Sequence, residues 1–246
     1  IIIMVEVISV LEIKNYSKSY NSGVYAVKDL SLTVSDGDIY AFVGHNGAGK
    51  TTTLKAIAGI LDFTEGDILI NGVSIKENPI ACLQQIAYIP DNPDLYEHLT
   101  GIGYINFIAD IYGVSESDRS KHIKEYSEKL DIEKDLGNII SSYSHGMKQK
   151  VAIIAALVHD PKILILDEPF VGLDPNASHA LKEIMKDLCS KKRSIFFSTH
   201  VLEVAEKLCN KIAIINNGKL IKSGQMTDVV KDKSLEEIFI GLVSHE

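Results

Sequence analysis

Apolar residues occur along this chain in two patterns, short continuous runs and longer segments with an apolar residue every three or four positions. Continuous runs at residues 38–43, 86–89 and 162–166 are typical of strands that are buried on both faces. A segment with helical spacing follows each of these runs. This alternation predicts a mostly parallel sheet with helices covering both of its faces.

The first part of the chain is richer in strand patterns than the rest. Residues 7–13 and 29–34 are predicted strands. Residues 67–70 and 73–75 flank Asn71-Gly72, a strong signal for a two-residue hairpin turn. Because such turns join antiparallel strands, we expect a small N-terminal antiparallel β-subdomain beside the parallel sheet.

The middle of the chain carries only helical periodicity. Residues 99–112 and 116–130 are predicted helices, and a third helix is expected to begin at Ser144 and end before Pro161. A later helix is expected to begin at His200. We therefore expect one domain over residues 1–246, in which a helical lobe is inserted into a β-rich and core lobe and a helical tail follows. These three parts are residues 92–161, residues 1–91 with 162–225, and residues 226–246.

A glycine-rich segment follows the first apolar run and precedes a predicted helix at residues 52–61. It fits the P-loop pattern of a glycine, four further residues and then Gly-Lys-Thr. Its nine residues are Gly44, His45, Asn46, Gly47, Ala48, Gly49, Lys50, Thr51 and Thr52. All nine are candidate nucleotide contacts, because the N–H groups of such a turn and the helix N-terminus form an anion site. Lys50 is expected to reach the β- and γ-phosphates and Thr51 to ligate Mg²⁺, whereas His45 is expected to contribute only its backbone.

Two adjacent carboxylates end the third apolar run. Asp167 and Glu168 are expected at the carboxyl edge of the sheet, where the ligands of α/β proteins bind. Asp167 suits Mg²⁺, directly or through water, and Glu168 is the candidate to polarise an attacking water molecule. Taken alone, the pair could be an ordinary acidic surface, and the P-loop upstream makes that alternative much the weaker one.

Five motifs follow one another in a recognisable order. They are the P-loop, Tyr143-Ser144-His145-Gly146-Met147, the Asp167-Glu168 strand, Gly172-Leu173-Asp174 and Ser198-Thr199-His200. In this order and spacing, to about residue 230, the sequence resembles the ATPases of ATP-binding cassette (ABC) transporters. The Tyr-Ser-x-Gly-Met-Lys-Gln segment and the stretch Ile-Ile-Asn-Asn-Gly-Lys look most like the ATP-binding subunits of ABC-2-type exporters of drugs, bacteriocins or sodium. The resemblance implies an α/β fold with a P-loop NTPase core, a mostly parallel sheet, an N-terminal antiparallel β-subdomain and a helical insertion lobe.

The resemblance also implies roles for individual residues. Tyr20 matches the aromatic residue that stacks on adenine, although by plain chemistry it could be a core aromatic. Ser144 and Gly146 match the signature segment, which reaches across a dimer to the γ-phosphate bound by the other subunit. Asp174 matches the inter-subunit loop. His200 matches the second catalytic residue, which contacts the γ-phosphate and the catalytic carboxylate.

The activity implied by the resemblance is ATP hydrolysis, with ATP and Mg²⁺ bound, coupled to transport through a separately encoded integral-membrane permease. A second ABC ATPase subunit, identical or different, is expected to complete an ATP-driven dimer. The implied location is peripheral, at the cytoplasmic face of the cell membrane. Docking is expected near Asp91 and the helix from residue 99, through exposed apolar side chains such as Leu95 and Tyr96.

Two departures from the family pattern concern the site. In the signature, commonly Leu-Ser-Gly-Gly-Gln, His145 replaces the first glycine and Met147 the glutamine. The bulkier His145 is a candidate to crowd the approach to a partner's nucleotide. Asp91 stands where many relatives have a glutamine that helps to place Mg²⁺ and water. Asp91 is therefore a third metal candidate beside Thr51 and Asp167, and its charge predicts either stronger metal binding or poor tolerance of Mg²⁺-free states.

Composition is ordinary for a soluble globular protein, with 46% hydrophobic and 24% charged residues. The net charge of −8 argues weakly against non-specific nucleic-acid binding, so no nucleic-acid partner is expected. No apolar run approaches the ~20 residues of a membrane-spanning helix. Three cysteines without metal-like spacing fit a reducing cytoplasm. No secretory signal is expected in Ile1-Ile2-Ile3-Met4, and Met4 is the expected natural start unless the first residues are an artefact.

Three other classes of P-loop protein compete with this interpretation. A soluble ABC protein of translation or repair usually has two cassettes or long coiled-coil insertions, and this chain has one cassette with a short insertion. A GTPase needs Asn-Lys-x-Asp after a strand, whereas Asn210-Lys211-Ile212-Ala213 lacks the aspartate and precedes its strand. A degenerate cassette is disfavoured because Glu168 and His200 are both present. The leading prediction is an ATP-hydrolysing transporter subunit, with the soluble ABC protein as the alternative.

Overall fold

The computed structural model describes residues 9–20, 23–231 and 233–243. Met4 and the first two residues of the strand predicted at 7–13 lie outside this part of the chain. The strands are β1 (Ser9–Ser19), β2 (Tyr25–Ser35), β3 (Ile39–Val43), β4 (Glu65–Ile70), β5 (Val73–Ser74), β6 (Ile86–Ile89), β7 (Ile163–Asp167), β8 (Ser194–Thr199), β9 (Lys211–Asn216) and β10 (Lys219–Gln225). The helices are α1 (Lys50–Ile57), α2 (Pro79–Leu83), α3 (Gly101–Ile111), α4 (Glu116–Lys129), α5 (His145–Leu157), α6 (Pro175–Ser190), α7 (Leu202–Leu208), α8 (Met226–Val230) and α9 (Leu235–Val243).

Six strands form the central sheet, in the order β10-β9-β3-β8-β7-β6. The strands from β9 to β6 are parallel, and β10 pairs antiparallel with β9 at one edge. The prediction of a mostly parallel sheet is therefore confirmed. A second sheet, in the order β2-β1-β4-β5, is antiparallel throughout, which confirms the expected N-terminal β-subdomain.

Two hydrophobic cores lie on opposite faces of the central sheet. Tyr40 and Phe42 of β3 lie in a core shared with α1 and the second sheet. Ala41 and Val43 lie in the core on the other face, which includes α5 and α6. Because both faces of the sheet are covered, every residue of β3 is buried. This explains the continuous apolar runs in the sequence. The packing also holds α1 between the two sheets, which fixes the P-loop that precedes it.

The helices on the second face begin where the capping residues predict. α3 and α4 pack against α5, whose N-cap is Ser144, and the hydroxyl oxygen of Ser144 accepts the N–H of Met147 at 3.3 Å. Asp174 caps α6 in the same way. The expected helix start at His200 is wrong, because α7 begins at Leu202. The five-residue helices α2 and α8 are too short to leave a periodic signal. No helix in the described ranges is long and apolar enough to cross a membrane.

Candidate functional site

Three parallel strands bring their carboxyl ends to one edge of the central sheet. β3 ends at Val43, β7 at Asp167 and β8 at Thr199. The register pairs Val43 with Thr199 and Asp167 with Ser198. The P-loop, the acidic pair and the predicted catalytic histidine stand at these strand ends, so the topology collects the sequence motifs at the edge where α/β proteins bind ligands.

The P-loop turns sharply into α1. Gly49, the residue before the helix, has φ of 106°, which lies in the left-handed region that favours glycine. A Cβ at this position would lie 2.8 Å from the carbonyl oxygen of Ala26. α1 begins at Lys50, earlier than predicted, so Lys50 and Thr51 occupy its first turn. The N–H groups of a first turn have no partner within the helix and are available to phosphate oxygens.

The ammonium group of Lys50 is surrounded by oxygen atoms. Its Nζ lies 2.7 Å from the carbonyl oxygen of Gly44, 3.2 Å from that of His45 and 3.7 Å from Oε1 of Glu168. The side chain is 6% exposed, and burial lowers the pKa of the ammonium while the Glu168 and Asp167 carboxylates oppose that shift. A cation held by loop carbonyls beside carboxylates is well placed to bind phosphate.

Ser198 organises the two carboxylates. Its buried hydroxyl donates to Oδ1 of Asp167 at 2.5 Å and accepts the backbone N–H of Glu168 at 3.0 Å. The second oxygen of Asp167, Oδ2, is buried and has no hydrogen-bond partner among the described residues. An unpaired buried carboxylate oxygen is costly, and a bound cation removes that cost.

Three groups fix the orientation of Glu168. Nδ1 of His200 lies 2.9 Å from Oε2 of Glu168, Lys50 approaches Oε1, and Ser198 holds the backbone N–H. The backbone φ of Glu168 is 47°, an unfavourable region for a residue with a side chain and one that is common at active sites. The side chain remains 16% exposed. An oriented carboxylate that solvent can reach suits a general base acting on water.

The P-loop and the acidic pair line a cavity of about 230 Å³. Its lining residues are Ala26, Asn46, Gly47, Gly49, Lys50, Thr51, Thr52, Asp91, Asp167 and Glu168. The structure therefore brings together most of the predicted P-loop contacts, the three metal candidates and Glu168. The predicted site residues that do not line this cavity are Gly44, His45 and Ala48 of the P-loop, Tyr20, Ser144, Gly146 and His200.

The donor set of the cavity fits Mg²⁺. The Thr51 hydroxyl and the carboxylates of Asp167 and Asp91 line one space, and Mg²⁺ prefers oxygen ligands. The unpaired Oδ2 of Asp167 supports the same conclusion independently. Asp91 is exposed, and its Oδ1 accepts the N–H of Asn92 at 2.9 Å, which leaves Oδ2 for a metal or its water. Thr51 and Asp167, with Asp91 at the rim, would hold the cation.

Tyr20 and the signature residues lie on two different parts of the surface. Tyr20 is 51% exposed beyond the end of β1, so it is not a core aromatic. The Lys18 ammonium lies 5.4 Å from the centroid of its ring. The signature residue Ser144 is exposed at the start of α5. The neighbouring His145 lies against Gly172 of its own chain, because a Cβ at Gly172 would be 2.4 Å from Cδ2 of His145.

Two side chains at the site escape prediction from the sequence. His45, which is expected to contribute only its backbone to the nucleotide, also uses its side chain within the protein, because its Nε2 lies 2.8 Å from Oδ1 of Asn216 and ties the loop to the end of β9. Its Nδ1 lies 2.7 Å from the carbonyl oxygen of Asn46. Ser198 belongs to one of the five motifs, but its hydrogen bond to Asp167, 31 positions away in sequence, is the second contact that the sequence does not predict. Contacts between such distant positions leave no local signal.

A P-loop after one parallel strand, with an acidic pair at the end of another strand of the same sheet, is the arrangement of P-loop nucleoside triphosphatases. A family model described as ABC transporter matches residues 27–171 of the chain. The ABC-type transporter ATP-binding protein EcsA of Bacillus subtilis (strain 168) is 34% identical over 243 residues, which cover 97% of this chain and 98% of EcsA. The linearmycin resistance ATP-binding protein LnrL of the same organism is 32% identical over 219 residues, 89% of this chain and 70% of LnrL.

Solved structures lead to the same family. One described as the structure of the ATP-binding subunit of an ABC transporter has a TM-score of 0.91 and 36% identity, over 95% of this chain and 99% of that chain. The chain therefore belongs to the ABC transporter ATP-binding proteins, and its cassette is an ATPase domain. This confirms the resemblance found in the order of the five motifs.

Proposed function

We propose that this subunit binds ATP with Mg²⁺ in the P-loop cavity and hydrolyses ATP to drive export through a separately encoded membrane permease. The observation that carries the proposal is the convergence of Lys50, Asp167 and Glu168 on one cavity at the carboxyl edge of the sheet. Phosphoryl transfer depends on positioning and electrostatic stabilisation more than on covalent chemistry, and these three groups supply both.

The residues that bind phosphate, hold the metal and activate water are distinct in this proposal. The P-loop N–H groups and the Lys50 ammonium bind the phosphates, while Thr51 and Asp167 hold Mg²⁺. The bound cation would neutralise phosphate charge and orient the terminal phosphate. Glu168 accepts a proton from the attacking water, and His200 keeps its carboxylate oriented through Oε2.

Export is supported by two similarities. The signature segment resembles that of ABC-2-type exporters, and one relative, LnrL, is named for resistance to linearmycin. Resistance is a property that removal of a compound from the cell can provide. The relatives reported above carry transporter names or a resistance name, so translation or repair is not favoured for this chain.

A groove beside the nucleotide cavity is the site that we propose for a cytoplasmic helix of the permease. It has a volume of about 330 Å³ and is lined mainly by apolar and aromatic side chains. Pro90 and Pro93 belong to its wall and flank Asp91 at the cavity rim. Two buried polar atoms on the wall, Oη of Tyr88 and Nδ1 of His159, have no partner within the described residues. An amphipathic helix that also supplies hydrogen bonds fits such a groove.

The exposed contacts expected for docking need one correction. Leu95 is 6% exposed, because its side chain forms part of the groove wall and packs in the core behind it. Tyr96 is 50% exposed, as expected. Ile60, which lines the groove, is 61% exposed and offers an apolar contact that the sequence pattern does not single out.

Replacement Ile60→Asp should release the subunit from membranes of the native source cells. A carboxylate pressed into an apolar interface loses its hydration, so the membrane-bound fraction should fall at least about tenfold. The matched control is Ile80→Asp on α2, since Ile80 is 69% exposed and does not line the groove. Fractionation of tagged variants, with circular dichroism to confirm folding, is the measurement.

The wild-type protein and Ile80→Asp should stay with the membranes until an alkaline wash. Equal retention of all three proteins would place the docking surface elsewhere. A wild-type protein found entirely in the supernatant, while its permease is expressed, would contradict membrane attachment itself.

Replacement Tyr20→Ala should weaken nucleotide binding without preventing it. Stacking of an aromatic ring on a base contributes about 1–3 kcal/mol, which corresponds to a roughly 5- to 150-fold rise in the dissociation constant. Tyr20→Phe keeps the ring and should bind as the wild type does. Equilibrium titration with ATP and with GTP is the test, and both nucleotides should be affected because stacking tolerates either base. Unchanged affinity in Tyr20→Ala would show that the base does not stack on Tyr20 and binds at another surface.

A further inference from the structure

The first turns of α5 are bound to the segment that follows Glu168 in the same chain. Gln149 is 1% exposed, and its Nε2 donates to the carbonyl oxygen of Pro169 at 3.3 Å. Because a carbonyl only accepts, this contact fixes the orientation of the amide. Oε1 of Gln149 is then buried with no hydrogen-bond partner in the described part of the chain.

Two neighbours of Gln149 reach the same segment. A Cβ at Gly172 would lie 2.4 Å from Cδ2 of His145 and 3.7 Å from Oε1 of Gln149. Nζ of Lys150 lies 3.8 Å from Oδ2 of Asp174. His145 and Gln149 are four positions apart and share one face of α5. The first turns of α5 therefore contact the segment between Glu168 and α6 at its beginning, through Gln149, in its middle, through His145, and at its end, through Lys150.

We propose that Gln149 is a positioning residue that transmits the engagement of the signature to Glu168 of its own chain. The inference rests on the proposed function, in which Ser144 of one chain covers ATP bound by a second copy. Ser144 begins the helix that carries Gln149, and Pro169 directly follows Glu168. A shift of α5 toward the partner's phosphate is therefore passed through one buried hydrogen bond to the peptide next to the catalytic carboxylate.

In this proposal the contact between Gln149 and the Pro169 segment has two arrangements, one with Oε1 unpaired and one in which Oε1 accepts a hydrogen bond. A buried acceptor without a donor disfavours the arrangement seen here, and N–H groups of the adjacent segment become available to it if α5 and the segment move relative to each other. A contact with two arrangements is an element that a ligand at either end can bias. ATP bound by one chain engages the signature of the partner and thus affects Glu168 of that partner. The two sites therefore hydrolyse ATP cooperatively.

The variant Gln149→Met tests this role, because it removes both the donor and the unpaired acceptor at similar volume. We expect kcat for ATP to fall at least about tenfold, since small misplacements of a catalytic group have large effects on rate. The Hill coefficient of hydrolysis should fall from above one to about one. Binding of a fluorescent ADP analogue to the P-loop should not change.

The matched control is Gln85→Met, which also removes a bond from a glutamine Nε2 to a carbonyl, that of Ala81 at 2.9 Å, away from the nucleotide cavity. It should lower only the melting temperature. If Gln149→Met also lowers only the melting temperature and keeps the wild-type kcat and Hill coefficient, the residue is structural and the proposal is overturned.

Two further outcomes are separable from that one. If Gln149→Met does not fold, Gln149→Asn serves in its place, because an amide one methylene shorter cannot hold the Pro169 carbonyl in the same way and should show the same loss of kcat and cooperativity. A wild-type protein that hydrolyses no ATP would contradict the proposed function rather than the role of Gln149.

Discussion

Replacement Glu168→Gln should abolish turnover while ATP binding remains. The amide has the same size, and its oxygen can accept the hydrogen bond from His200 that Oε2 now accepts at 2.9 Å, but it cannot take up a proton from water. A general base supplies roughly 10²–10⁴ in rate, so kcat should fall by that factor. Because the substitution removes a negative charge 3.7 Å from Nζ of Lys50, affinity for ATP should be equal or higher.

Steady-state ATPase assays with Mg²⁺ and equilibrium ATP titrations give the two quantities. The matched control is Glu203→Gln, the same substitution on α7, where the side chain is 76% exposed and paired with Lys207. It should leave rate and affinity unchanged. A wild-type hydrolysis rate in Glu168→Gln would refute the assignment and would point to Asp91 as the remaining exposed carboxylate of the cavity.

The parts of the site that the sequence predicts are those with a local cause. The strand before Gly44 is a continuous apolar run because both faces of β3 are covered, and the glycines of the P-loop follow it directly. Asp167 and Glu168 are found for the same reason, as polar residues that end a buried run. Parallel strands bring their carboxyl ends together, so two local patterns suffice to place one site.

The parts that escape prediction depend on contacts between distant positions. The bond from Ser198 to Asp167 joins residues 31 apart, and that from His45 to Asn216 joins residues 171 apart. Both residues lie in motifs that the sequence reveals, but nothing near them in sequence identifies Asp167 or Asn216 as their partners. The burial of Leu95, an apolar residue in an irregular segment, is equally hidden, because a loop has no periodicity from which its buried side can be read.

ATP-dependent, head-to-tail dimerisation is the second large effect that we expect. The nucleotide cavity is lined without any residue of α5, so the signature does not cover a nucleotide bound in its own chain. Ser144 is nevertheless exposed at the start of a 13-residue helix, whose first N–H groups are suited to phosphate. A two-fold pair in which each signature covers the partner's γ-phosphate uses both surfaces. Hydrolysis then removes the charge that holds the two copies together.

Light scattering on four samples tests this arrangement. Wild-type protein with ADP should be monomeric, and Glu168→Gln with ATP should be dimeric. Adding Ser144→Arg to Glu168→Gln should restore the monomer with ATP, because the larger side chain blocks the approach to phosphate. The loss of the cap costs about 1 kcal/mol of stability, so the variant should remain folded. The charge-matched control is Ser117→Arg in the same background, on the exposed face of α4, and it should still dimerise.

The position of His145 bears on how stable the closed dimer is. Its ring lies against Gly172 of its own chain, at the exposed surface that carries Ser144. A side chain here, where the family commonly has glycine, should weaken the closed state, so that without the γ-phosphate the free subunit is mostly monomeric. His145→Gly in the Glu168→Gln background should therefore dimerise at lower ATP concentration. A dimer whose stability ignores both nucleotide and Ser144→Arg would show that the interface lies on another face of the molecule.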